Sequence, residues 1–377
     1  MNIGFDGKRA ANNLTGLGNY SRSLLAQLAG LFHQNQYFVY TPKISKKPQI
    51  TAFFESQRLQ LKLPAPNSLK FMWRSFGIRK QLLEDKIDLF HGLSQEIPLG
   101  LRAVNIKSVV TIHDLIYLRY PQYYKPIDRY IYHKKSEYAC KNSDRIVAIS
   151  ERTKKDIMEF YGIPENRIEV IYQSCDDSFK IHHSAKSSNR VRAKFGLPEK
   201  YILNVGTIES RKNLLLLIEA LPTIDSAYKL VVVGKHRPYV EKVKAAIARL
   251  KLEDRVIFLE GVPFEDLPMI YQMATVFIYP SLYEGFGIPI IEALYAKVPV
   301  VAATGSCLEE AGGPDSIYVS PTDANDLAAQ VNKILDDEDL QKKMKENGLK
   351  FVQQFDNKSL AKQMMDCYIN TLNRKFE

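Results

Sequence analysis

The stretch that decides the fold is Tyr279-Pro280-Ser281-Leu282-Tyr283-Glu284-Gly285-Phe286-Gly287-Ile288-Pro289-Ile290-Ile291-Glu292-Ala293. A β-branched and aromatic run ends near Tyr279, a glycine-rich turn follows, and a helix starts near Ile288. Pro289 sits where a missing N–H costs nothing, in the first turn of that helix. The glycines let main-chain N–H groups approach a ligand, and the helix N-terminus adds partial positive charge, so a diphosphate is the natural occupant. Glu284 precedes the helix and Glu292 lies about one turn inside it, so the two carboxylates meet different parts of one extended ligand. Read singly, Glu284 is also a helix cap and Glu292 a solvated face residue.

The strand–turn–helix rhythm continues on both sides. Strands are expected at Asn2–Phe5, Tyr37–Tyr40, Leu89–His91, Ser108–Ile112, Arg145–Ile149 and Ile168–Ile171. A second set is expected at Tyr201–Val205, Lys229–Val233, Val256–Leu259, Val276–Tyr279, Val298–Ala302 and Ile317–Val319. Helical periodicity fills the gaps, as at Tyr239–Leu250 and Asp326–Leu335. Such alternation implies parallel sheets covered by helices on both faces. The polar, aperiodic stretch at about 173–198 reads as linker or exposed loop. The chain thus divides into two Rossmann-like α/β domains facing a cleft, 1–175 and 176–377, with ligand at the carboxyl ends of the strands. The last helices, Leu340–Gln354 and Ser359–Leu372, have no strand after them, which leaves one of them free to pack back on the N-terminal domain.

Composition narrows the class. The 377 residues are 45% hydrophobic and 25% charged, the balance of a soluble globular protein. No apolar run reaches the roughly 18 residues a membrane span needs, and the chain opens directly as a strand with no signal-peptide pattern. Cys140, Cys175, Cys307 and Cys367 are scattered without metal spacing. A reduced, cytoplasmic chain is expected. The charge is lopsided: residues 1–180 hold 27 Lys+Arg against 17 Asp+Glu, and residues 181–377 hold 25 against 25. A basic half either meets something anionic or is a plain basic surface.

Glu284 and Glu292 with Gly-Phe-Gly-x-Pro between them resemble the E-x7-E motif of retaining GT-B glycosyltransferases of family 4. Four further segments, in the family's order, carry the same resemblance: Thr15-Gly16-Leu17-Gly18-Asn19-Tyr20, Thr111-Ile112-His113-Asp114, Gly206-Thr207-Ile208-Glu209-Ser210-Arg211-Lys212-Asn213 and Ser306-Cys307-Leu308-Glu309-Glu310-Ala311-Gly312. Two departures stand out. Thr207 occupies a position where many members carry arginine, and Glu309 one where proline is usual. The resemblance implies a GT-B fold and a hexosyltransferase that uses a nucleotide-diphosphate sugar with retention of configuration. It places Glu292 on the ribose, Glu284 on the transferred sugar beside the backbone of Phe286, Gly287 and Ile288, and Lys212, helped by Arg211, on the distal phosphate. Gly16, Gly18 and Gly206 are expected near the diphosphate, and His113 at the donor sugar. By itself, His113 reads as a buried, hydrogen-bonded side chain.

Glycosyl–phosphate cleavage leaves negative charge on the diphosphate, which preorganised cations and dipoles must stabilise. Asp337-Glu338-Asp339 has the spacing of a metal-binding pair but lies in a charged turn, so neither a metal nor a cofactor is expected. The His113-Asp114 and Arg211-Lys212-Asn213 forms of these motifs resemble those of bacterial mannosyltransferases of surface-polysaccharide (O-antigen-type) assembly, which makes GDP-mannose the first donor to consider and UDP-sugars the second. A sugar-nucleotide epimerase and a non-catalytic scaffold on the same plan are the alternatives. Position 21 is Ser21, not the third glycine of a dinucleotide fingerprint, which counts against a dehydrogenase.

Two basic aromatic stretches remain. Leu69–Leu83 holds the single tryptophan, and helical spacing puts Leu69, Met72, Trp73 and Phe76 on one side; Tyr117–Tyr138 holds seven of the 21 tyrosines. Both fit a membrane-surface helix as well as an ordinary core-packing one. The expected partners are a carbohydrate or polyprenyl-diphosphate-linked acceptor, with anionic lipid at the inner face of the cytoplasmic membrane. No nucleic-acid reader motif is present.

Overall fold

The computed structural model describes residues 1–65 and 73–373, which form two compact units: Met1–Ser174 with the C-terminal segment from Asp356, and Cys175–Phe355. Each is built on one all-parallel sheet.

In the first unit the strands are β1 (Asn2–Asp6), β2 (Gln36–Tyr40), β3 (Gln60–Lys62), β4 (Leu89–Gly92), β5 (Lys107–Ile112), β6 (Arg145–Ala148) and β7 (Ile168–Val170), in the order β3-β2-β1-β4-β5-β6-β7. In the second they are β8 (Tyr201–Val205), β9 (Lys229–Val233), β10 (Val256–Leu259), β11 (Val276–Tyr279), β12 (Val300–Ala303) and β13 (Ile317–Val319), in the order β10-β9-β8-β11-β12-β13. Both sheets reverse direction of growth beside their first strand, the doubly wound pattern that opens a crevice at the strand carboxyl ends. Central strands such as Lys229–Val233 are buried on both faces after their first residue, which is why they read as continuous apolar runs.

The C-terminal helix Asn357–Asn373 belongs to the first unit. Its Leu360, Ala361, Met364, Met365 and Tyr368 enter the core with Leu24, Leu25 and Leu28 of the helix Gly16–Leu31. Tyr368 is fully buried and its hydroxyl meets His91 Nδ1 at 2.6 Å.

Two sequence expectations are corrected, and one strand is added. The stretch read as linker contains the helix Ala185–Phe195, begun by Ser184, whose hydroxyl accepts from Ser187 N, and stopped by Gly196 at φ +61°. Only Val191 of it is buried, so capping rather than an apolar stripe defines it. A short edge strand, β3, was not expected. Finally, Trp73 and Phe76 do not share a face. Leu69 and Met72 lie outside the described residues, but Trp73 begins a π-helical turn, Trp73–Gly77, that shifts the register. Trp73 packs in the core with Ile78 and Leu82, whereas Phe76 is exposed.

Candidate active site

In the second unit the site residues gather where the sheet order reverses, between β8 and β11. Gly206 follows β8, and the chain then makes the 3-10 turn Ser210–Lys212 before the helix Leu214–Ala220. Asn213, at φ +57°, joins turn to helix, and its side chain donates to the carbonyls of Pro280 (3.1 Å) and Pro321 (2.8 Å). Thr207 is half-buried beside Gly206, without the charge of the usual arginine. From β11 the chain runs through Glu284 to the helix Ile288–Tyr295, with proline in its first turn. A Cβ on Gly287 would stand 2.7 Å from that of Ala311, so only glycine lets this helix start pack against Leu308–Gly312.

This brings Glu284, Arg211 and Lys212 together. Lys212 Nζ lies 2.6 Å from Glu284 Oε1, and Arg211 Nη1 lies 2.8 Å from Glu284 Oε2. Arg211 also pairs with Glu209 at 2.8 Å and donates to the Tyr283 carbonyl at 2.6 Å. Burial pushes the Glu284 carboxyl up, but the charges of Lys212 and Arg211 outweigh this and hold it at about 2. The same contacts raise Arg211 and Lys212 against their own desolvation. Two cations and two carboxylates thus form a closed, charge-balanced cluster.

Glu292, half-buried, stands apart from it. Burial pushes its carboxyl up to about 8; Tyr271, donating at 2.7 Å, opposes this and Asp176 adds to it. With Tyr271 donating to Oε2, the carboxyl keeps Oε1 to accept from a hydroxyl donor, which suits a diol ligand.

Several partners escaped the sequence reading. Tyr279 OH accepts from Lys212 at 2.5 Å and is 3.3 Å from Glu284 Oε1. Cys307 Sγ lies 3.1 and 3.2 Å from the carbonyl oxygens of Glu284 and Phe286, tying down the loop from beneath. Glu309 accepts from Thr304 and from Gly305 N, so it braces its own turn in place of proline. Tyr271 has no local signal at all, being brought to Glu292 by tertiary packing.

In the first unit, Gly18 is pressed against the chain: a Cβ there would meet Asn13 O at 1.8 Å, whereas Gly16 has open space. His113 follows β5. Its Nε2 is 2.9 Å from Leu93 O and its Nδ1 2.8 Å from Gln173 Nε2. The carbonyl only accepts, so Nε2 carries the proton and Nδ1 accepts from the glutamine amide. Burial lowers its pKa to about 4. Both ring nitrogens thus have partners within the first unit, Leu93 O and Gln173 Nε2. Among the described residues, no three His, Cys, Asp or Glu side chains gather as metal ligands.

Residues 14–179 match a family model described as Glycosyltransferase Family 4, and residues 186–351 one described as Glycosyl transferases group 1. O-antigen chain mannosyltransferase B of Escherichia coli is 28% identical over 372 residues, covering 94% of this chain and 96% of its own. The serotype-specific mannosyltransferase WbdA of Escherichia coli is 30% identical over 275 residues, 70% of this chain but 34% of its own length. In solved structures, Anabaena HepE in complex with UDP-glucose shares the fold with a TM-score of 0.77 and 19% identity, covering 98% of this chain and 100% of its own.

Proposed function

Since the chain belongs to the group 1 and family 4 glycosyltransferases, we propose that it transfers a hexose, with retention, from a nucleoside-diphosphate sugar to a carbohydrate or lipid-linked oligosaccharide during surface-polysaccharide assembly. GDP-mannose is the first donor to test, in keeping with the mannosyltransferase relatives, and UDP-sugars the second. The observation that carries this reading is the paired Arg211 and Lys212 at the reversal point of the second sheet, held by the first carboxylate of the E-x7-E motif.

In this proposal the donor diphosphate takes over Arg211 and Lys212, releasing Glu284 to the hydroxyls of the transferred sugar. As the glycosyl–phosphate bond breaks, the two cations and the N-terminus of the helix Ile288–Tyr295 stabilise the charge growing on the leaving phosphate. These groups supply compensation without a metal ion. Glu292 accepts from the ribose hydroxyls, and the backbone of Phe286, Gly287 and Ile288 lines the sugar. The first unit serves the acceptor at an anionic membrane surface on the cytoplasmic side. Gln173, the Leu93 carbonyl and His113 act there as a fixed buried support.

Calorimetric titration with GDP, UDP and ADP tests the site. One nucleotide should bind preferentially, and Lys212→Ala should weaken it at least tenfold, as expected for a lost charge-assisted contact. No binding at millimolar nucleotide would overturn the catalytic reading and favour a scaffold. Turnover of the nucleotide sugar to an isomer without any acceptor would instead favour an epimerase.

A further inference from the structure

At the carboxyl end of β1 the first unit gathers four cations around two carboxylates. Arg74 pairs with Asp6 and, at 2.6 Å, with Glu96. Lys135 reaches Glu96 at 3.2 Å. Lys8 and Arg9 follow β1 directly and are half-buried, yet neither Lys8 Nζ nor the Arg9 guanidinium has a hydrogen-bonding or ion-pair partner among the described residues. Burial, then the charges of Arg74, Arg9 and Lys135, depress the pKa of Lys8, while Glu96 opposes this. Half-buried cations are normally paired. This surplus of two positive charges is an arrangement that an incoming anion would relieve.

Lys135 also belongs to the helix Pro126–Asn142, whose first two turns leave their apolar side uncovered. Ile127 is 75% exposed, Tyr130 64% and Ile131 42%. These positions follow the i, i+3, i+4 spacing of one helix face and are flanked by Lys125, Arg129 and Lys134. At 1.5 Å per residue, Ile131 and Ile127 lie about 6 and 12 Å along the axis from Lys135. A cation cluster with two unpaired members, Lys8 and Arg9, therefore adjoins the uncovered apolar stripe of the helix that carries Lys135.

We infer that Lys8, Arg9 and Lys135 form a binding site for the phosphate of a membrane-borne lipid phosphate, with Ile127, Tyr130 and Ile131 seated against its hydrocarbon. This rests on the glycosyltransferase reading and deepens it by locating the head of the lipid-linked acceptor. A soluble phosphate would satisfy the cations but leave the apolar stripe without a purpose. A general anionic bilayer would engage both features without preferring one headgroup.

Flotation of the full chain with phosphatidylcholine vesicles provides the test, using a minor fraction of polyprenyl phosphate in one set and an equal charge of phosphatidylglycerol in another. Partition should favour polyprenyl phosphate by tenfold or more over either control. Lys8→Gln with Arg9→Gln should lower it about 25-fold, roughly fivefold for each cation near an anionic surface. Ile127→Ser with Ile131→Ser should lower it about tenfold or more. Both double variants should keep wild-type nucleotide affinity and thermal stability. Equal recovery with phosphatidylglycerol, or loss in neither variant, overturns the inference. So does complete release by millimolar inorganic phosphate together with normal binding of the isoleucine variant, which assigns a soluble ligand. A chain that binds nucleotide but ignores the lipid phosphate overturns this inference alone. One that binds the lipid phosphate but no nucleotide overturns the proposed function.

Discussion

Glu284→Gln separates what the carboxylate does for the fold from what it does for the ligand. Its carboxyl is held at about 2 against an ordinary 4.5. A depressed carboxylate stabilises the folded state above its unfolded pKa, and that stabilisation is lost as pH falls from about 4.5 towards 2. The gap corresponds to about 3 kcal/mol at pH 7, in line with the roughly 3–5 kcal/mol for breaking a buried ion pair from one side. Glutamine keeps the shape but leaves Lys212 and Arg211 without their common counter-charge, so the variant should unfold about 3 kcal/mol more easily. It should also lack the acid-dependent loss below about pH 4.5 that this residue contributes. The effect on binding has the opposite sign. A diphosphate on the same cations would lie roughly 6 Å from the Glu284 carboxylate, and at an effective dielectric near 20 the repulsion is about 2–3 kcal/mol. Nucleoside diphosphate should therefore bind the variant roughly thirtyfold more tightly, while sugar transfer falls at least about a hundredfold. Urea unfolding, calorimetry and a turnover assay on the same preparation give the three numbers. A glutamine variant as stable as wild type, with unchanged diphosphate affinity, would refute the idea that Glu284 holds these cations in reserve.

Three further outcomes follow from the geometry. Gly18→Ala drives a Cβ to 1.8 Å from the Asn13 carbonyl oxygen, whereas Gly16→Ala enters open space; thermal unfolding should show a loss of about 1–3 kcal/mol for the first and within about 0.5 kcal/mol for the second. Glu292, raised to about 8, keeps in the folded state a proton that the unfolded chain releases near 4.5. Stability should therefore fall as pH climbs between those values, by about 1–2 kcal/mol after allowance for solvent screening at a half-buried site, and Glu292→Gln should flatten the profile. Ribose hydroxyls favour the ionised carboxylate, so nucleotide binding at pH 7 should release a proton, seen as a buffer-dependent enthalpy that the glutamine variant lacks.

The sequence makes the sheets legible because buried parallel strands are short apolar runs between turns, and every strand expected from that pattern is present. It conceals β3, Gln60–Lys62, whose three residues are too few to establish a period. It also conceals the helix Ala185–Phe195, where Ser184 and Gly196 signal the ends but only Val191 signals a face. In the site, Glu284 and Glu292 are readable because their spacing spans one turn and one helix start. Tyr271, Tyr279 and Cys307 are not, since their roles arise from approach in space. The surroundings of His113 are hidden in the same way, since Gln173, sixty residues away, meets its second nitrogen.

The charge balance of the second unit has a consequence for selectivity. Arg211 and Lys212 are already satisfied by Glu209 and Glu284, so a ligand gains only by offering both cations a better arrangement than the carboxylates do. A diphosphate can do this, because its two phosphoryl groups reach both cations at once and make charge-assisted contacts to each. A monophosphate engages one cation and leaves the other with Glu284, adding an anion beside a carboxylate that has not moved. The loss of one such contact, about 1.5–3 kcal/mol, sets a discrimination of roughly ten- to a hundredfold between a nucleoside diphosphate and its monophosphate. Glu284→Gln should shrink this ratio, since Lys212 then lacks a competing carboxylate and Arg211 keeps only Glu209. Equal affinity of the wild-type chain for the two nucleotides would mean that base and ribose, held from the Glu292 side, govern binding, and that the cation pair is a structural tie.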